Sequence, residues 1–257
     1  MHVEPVLRAP AMILAFAGWN DAGDSSTTAV RYLDAGIRSV PLAEIDCEEF
    51  FDFTVRRPDV VQRPGRDGGR ERAIVWPDTE FRYGSVDDGR EVITGIGIEP
   101  HLRWRAYCEA VIELARRQDV GRVYLLGAYQ ADVVYSQPVQ VTGFATDAEA
   151  LEVLGVTSSE YQGPTGIVGV LGSLLEEAGF PVVSLWVGLP HYINASPNPR
   201  GALALVQKLV QLLGFPVDEE PLQKSAAEFE ERINKLVASD AELSEYVRQL
   251  KRREFAN

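Results

Sequence analysis

Between residues 11 and 213, short apolar runs bounded by Gly, Pro or Asp alternate with longer stretches whose apolar residues recur at helical period. A chain patterned in this way builds a largely parallel sheet with helices packed on its faces. Ala11–Ala17 reads as a buried strand, and Ser25–Gly36 as a helix carrying Ala29, Val30, Leu33 and Ile37 on one face with Asp24 as its cap. Residues 50–55 and 73–76 read as strands around a polar loop, residues 63–72, rich in Gly and Arg. Glu91–Ile98 and residues 122–127 and 181–187 give further strands, and residues 102–118, 165–178 and 201–213 give helices. The expected fold class is α/β, a three-layer αβα sandwich.

The character of the sequence changes at residue 215. Residues 218–238 and 240–252 read as two helices, with a capping box at Ser239 and Glu242 opening the second. Leu222, Ala226, Phe229, Ile233 and Leu236 recur at spacings of four and three, as do Leu243, Val247 and Leu250. This predicts a C-terminal α-helical hairpin with an apolar seam, residues 215–257, appended to an α/β core domain of residues 1–214. The hairpin carries ten acidic and seven basic residues, so most of the net charge of −13 lies on the core.

That charge, 38 acidic against 25 basic residues, repels phosphate backbones and anionic membranes, so no nucleic acid and no membrane partner is expected. Cys47 and Cys108 are too few for a disulfide framework and fit no zinc spacing. The N-terminus has no basic leader, and its apolar stretch is far shorter than the ~20 residues a bilayer requires. A cytoplasmic location is expected.

If the strands are parallel, the loops at their carboxyl ends share one rim, where ligands of open α/β sheets usually sit. Those loops carry the distinctive residues of the chain: Trp19, Asn20 and Asp21; Glu99 and His101; Gly127 and Asp132; Gly163 and Thr165; His191 and Tyr192. They are the candidates for a rim pocket or an interaction surface, although strand-to-helix turns alone demand most of these residue types. Gly18 and Gly23 have the spacing of a phosphate-binding loop, but Asp24 stands where the lysine belongs, so binding of ATP is not expected. There is no Gly-x-Ser-x-Gly elbow, and His2, His101 and His191 fit no chelating spacing. No catalytic residue, metal or cofactor is assigned.

Several of these segments occur in a fixed order. Gly18-Trp19-Asn20-Asp21-Ala22-Gly23, Phe51-Asp52-Phe53 with Arg57-Pro58, Glu99-Pro100-His101-Leu102-Arg103-Trp104, Gly163-Pro164-Thr165-Gly166 and Leu189-Pro190-His191-Tyr192 with Pro197-Asn198-Pro199 resemble the bacterial branch of the proteasome assembly chaperone 2 family. The resemblance covers about residues 11–213 and extends to the helical tail. It implies a phosphorylase/hydrolase-like αβα fold, self-association with trimers favoured, and a chaperone or proteasome-related role; it implies no reaction. Two departures stand out. Val133-Val134-Tyr135-Ser136-Gln137-Pro138 lacks the histidine and arginine expected in that stretch, and Phe255-Ala256-Asn257 lacks the penultimate tyrosine of proteasome-docking tails.

The reading is a non-enzymatic, homo-oligomeric, chaperone-like binding protein whose expected partners are itself and proteasome subunits or another protein. The rival is a small-molecule hydrolase or phosphorylase working in the rim pocket, with Asp21 or Glu99 handling protons and His191 as polar partner. It requires a buried carboxylate with a raised pKa.

Overall fold

The computed structural model describes residues 7–65, 68–86 and 89–254. An eight-stranded sheet runs in the order β2-β5-β6-β1-β7-β10-β8-β9, built from β1 (Ala11–Ala17), β2 (Val40–Ile45), β5 (Thr79–Ser85), β6 (Glu91–Ile98), β7 (Arg122–Ala131), β8 (Val141–Ala145), β9 (Thr157–Ser158) and β10 (Val182–Pro190). β3 (Asp59–Pro64) and β4 (Arg70–Val75) form a separate antiparallel pair. The four central strands, β6, β1, β7 and β10, are mutually parallel, and β5 and β8 run antiparallel to their inner neighbours.

Seven helices complete the described chain: α1 (Ser25–Gly36), α2 (Trp104–Arg117), α3 (Ala148–Leu154), α4 (Ile167–Glu177), α5 (Pro199–Leu213), α6 (Glu220–Ser239) and α7 (Ala241–Glu254). Successive β1 side chains point to opposite faces of the sheet. Ile13 and Ala15 pack with Val30 and Leu33 of α1 and with Leu205 and Leu209 of α5. Met12, Leu14 and Phe16 pack with Val111 and Ala115 of α2 and with Ile167 and Leu171 of α4. A sheet lined by helices on both faces is the three-layer αβα sandwich, and each of the larger side chains named contributes roughly 1.5–3 kcal/mol by burial.

Three local expectations give way to side-chain chemistry. Residues 50–55 are turns and not a strand, because Asp52 Oδ1 accepts from the Thr54 amide at 2.8 Å and its hydroxyl at 2.6 Å, coiling the chain. Within the expected loop, residues 63–64 and 70–72 are strand and form the distal part of the β3–β4 ribbon. α7 is capped by Asp240, whose Oδ1 accepts from the Glu242 and Leu243 amides, both at 3.0 Å, while the Ser239 hydroxyl donates back to the Leu236 carbonyl at 2.8 Å.

The hairpin seam also differs by one position. Val237 is buried and Leu236 is 49 % exposed, so the seam ends on Val237. Phe229, Ile233 and Val237 of α6 and Val247 and Leu250 of α7 share a cluster with Val134, Tyr135 and Ile193 from the ends of the sheet. The hairpin therefore docks on the body of its own chain. Among the described residues, no helix is long and apolar enough to cross a membrane.

Candidate functional site

The parallel centre brings the segments after β1, β6, β7 and β10 to one edge, as the sequence requires for a rim. There the candidate residues separate into distinct clusters. The first surrounds the start of α1. Asp21 Oδ1 accepts from the Ser26 amide and hydroxyl, both at 2.6 Å, and Oδ2 from the Thr27 hydroxyl at 2.5 Å. Asp21, and not Asp24, is the carboxylate that caps α1; Asp24 lies at φ 48° without a capping bond, its carboxylate instead accepting from the Ser196 hydroxyl. Asp21 also occupies the amides that a phosphate at the head of α1 would need. Burial raises its pKa, and the hydrogen bonds from Ser26 and Thr27 oppose that rise.

The second cluster ties β1 and β6 to α4. Glu99 Oε1 accepts from the Asn20 side-chain amide and from the Ile167 backbone amide, each at 2.8 Å, so a carboxylate holds the positive end of α4. Asn20 is fully buried, and its backbone carbonyl accepts from the Ala128 amide at 2.7 Å. The chain can approach this closely only at a glycine, since a Cβ on Gly166 would stand 2.4 Å from Asn20 Oδ1 and 2.5 Å from Glu99 Oε1. Thr165 is exposed beside it, and Gly163 lies under Tyr161, whose hydroxyl donates to the Pro164 carbonyl at 2.9 Å.

Asp132, His191 and Tyr192 form the third cluster with Tyr246 of α7, a residue that sequence reasoning missed. His191 Nδ1 lies 3.1 Å from Asp132 Oδ1, and its ring meets Tyr192 and Tyr246 edge-on at 5.5 and 5.7 Å. The Tyr192 hydroxyl donates to the Val133 carbonyl and accepts from the Tyr135 amide, both at 3.0 Å. No local signal points from position 246 to position 191; only its place beside Val247 on an apolar helix face suggests contact.

Two candidates serve local packing. Gly127 is a buried strand position where a Cβ would fall 2.3 Å from the Trp186 ring, so it serves packing. His101 accepts from the Asp52 amide at 3.1 Å through Nδ1 and stacks edge-on against Phe51 at 5.4 Å, clamping the turn of residues 50–55. Trp19 is 61 % exposed, and the unforeseen Tyr129 and Tyr161 stand out at 42 % and 67 %.

A cavity of about 210 Å³ lies between the rim and α6. Its walls include Tyr135, Gln137, Ile193, Arg200, Phe229 and Glu230, and not Asn20, Asp21 or Glu99. Arg200 spans it, donating to the Gln137 carbonyl at 2.7 Å and pairing with Glu230 at 3.4 Å. Its guanidinium comes from α5, and the Tyr135–Gln137 stretch supplies hydroxyl and amide groups without charge. No group of three or more His, Cys, Asp or Glu that could hold a metal occurs among the described residues. His2 and the tail Phe255-Ala256-Asn257 lie outside the described residues.

The PAC2 family model matches residues 15–237. A PAC2 family protein from Streptomyces avermitilis is 36 % identical, with a TM-score of 0.83 over 93 % of this chain and 99 % of that one. A proteasome-assembly chaperone homologue from Mycobacterium tuberculosis is 35 % identical, with a TM-score of 0.81 over 92 % of this chain and 99 % of that one. An archaeal proteasome activator from Pyrococcus furiosus, 18 % identical over 90 % of this chain and 95 % of that one, shares the fold at a TM-score of 0.69. Among curated proteins no sequence matches the chain. The sandwich, the rim motifs and the two relatives that span nearly its whole length agree, and the chain belongs to the PAC2 family.

Proposed function

We propose that the chain is a non-enzymatic, chaperone-like protein of the cytoplasm that assembles with copies of itself, as a trimer, and engages proteasome subunits through its rim. One observation carries this reading. The buried carboxylates of the rim are spent on the fold, Asp21 on α1 and Glu99 on α4, while Trp19, Tyr129 and Tyr161 remain exposed. Exposed aromatic rings on a rigid polar edge are what protein interfaces use as anchors. The name of the M. tuberculosis relative supports proteasome subunits as the partner class.

Asp21 meets one demand of the rival reading, being buried with a raised pKa. Its oxygens are saturated by donors of α1, however, and it does not line the cavity. Helix capping accounts for it.

The experiment is native electrophoresis of the purified chain with separated α and β subunits of a core particle, alongside the W19A/Y161A variant. The expected result is a shifted band containing a core-particle subunit, weakened about tenfold or more by the two substitutions. No shift with either subunit, or a shift indifferent to both rings, would overturn the reading.

A further inference from the structure

The β3–β4 ribbon has no use in the site described above. It forms a sheet of its own, with almost every residue exposed on both faces and only Val61 and Ala73 half-buried within it. A lone two-stranded ribbon is at best marginally stable in water and needs a third surface against one face. On one face the cross-strand pair Val60 and Ile74 is 57 % and 58 % exposed, continued by Trp76 at 43 % where the ribbon joins the body. Nearer the tip the same face carries Gln62 opposite Arg72 and Pro64 opposite Arg70. An apolar patch with a basic margin thus points away from the molecule.

The charge on this segment identifies what covers it. Residues 56–75 hold six arginines against Asp59, Asp67 and Glu71, a net +3 in a chain of net −13, which leaves −16 on the remainder. The segment is basic where the remainder is acidic, so the two are complementary, and like-charged bodies need such an attractive element to associate. We infer that the β3–β4 ribbon is the self-association arm, docking its Val60–Ile74–Trp76 face on the acidic surface of a second copy of this chain. This rests on the proposed self-association and assigns the element that performs it. The contact is apolar at its centre and ion-paired at its margin.

The test is multi-angle light scattering after size exclusion at micromolar concentration, on the full chain, on V60N/I74N and on R70E/R72E, with circular dichroism of each. The full chain is expected as a multiple of 28.4 kDa, and both variants as 28.4 kDa species with unchanged dichroism. Hydrogen–deuterium exchange on the unaltered chain gives the same answer without a variant. Slow amide exchange at residues 59–64 and 70–75 that becomes fast on dilution supports the arm, and fast exchange at every concentration overturns it. Variants that keep the mass of the full chain place the interface elsewhere and overturn the arm alone. A full chain that runs as a monomer overturns self-association as well.

Discussion

Asp21 shows how a residue can look chemical and be architectural. Its carboxylate replaces the water that the buried Ser26 and Thr27 would otherwise lack, so D21A is expected to cost about 2 kcal/mol in urea unfolding. The pH dependence follows from its raised pKa. The folded state binds the proton more readily than the unfolded one, so the contribution of Asp21 to stability is larger near pH 4 and falls as pH rises through its folded pKa. Stability of the unaltered chain relative to D21A should therefore decrease from pH 4 to pH 7; an increase would contradict the burial that raises the pKa. The two thiols behave in the corresponding way. Burial pushes Cys47 and Cys108 both up to about 12, so almost no thiolate exists at pH 8. Ellman's reagent is expected to leave the native chain unmodified at that pH and to titrate two thiols in denaturant, and rapid native labelling of either would refute the packing around it. At this scale the sequence showed which residues were unusual but not what each one held. Asn20 does meet Glu99 while Asp21 turns to α1, and capping by Asp21 and not Asp24 depends on a left-handed turn at Asp24 that residue types alone do not specify.

At the scale of elements, two strands and a helix were legible to the residue: β1, β6 and α1 begin and end where their periodicity changes. The elements that escaped lie outside the parallel centre of the sheet. β2 carries Pro41 beside a bulge, and β3 has Val60 facing solvent, so neither shows the burial pattern that periodicity detects. The seam of the hairpin was legible, but not the surface it covers, since contact with Val134 and Ile193 is set by tertiary packing. This packing makes the hairpin part of the stability of the molecule. F229A should cost about 3 kcal/mol, and Y135F, which removes the 2.6 Å bond from the Tyr135 hydroxyl to Asn234, about 1 kcal/mol. Chemical denaturation of both variants checks this, and a neutral F229A would mean that the hairpin is detached in solution.

The whole molecule is an αβα sandwich whose rim has been closed from within by its own caps and by the helical hairpin. On the proposed reading its ordinary ligand edge serves as a surface bearing Trp19, Tyr129 and Tyr161. Fold class was open to sequence reasoning because it follows from the order of apolar runs. The closing of the rim was not, because it depends on Tyr246 meeting His191 across 55 residues of chain. The distinction between a filled rim that binds protein and an open one that binds a metabolite can be measured in one spectrum. Native mass spectrometry of the purified chain, mixed with the α and β subunits of a core particle, should show an oligomer of this chain carrying intact core-particle subunits, with no retained mass of small-molecule size. A stoichiometric small ligand released on activation, with no protein complex at any subunit ratio, would contradict it.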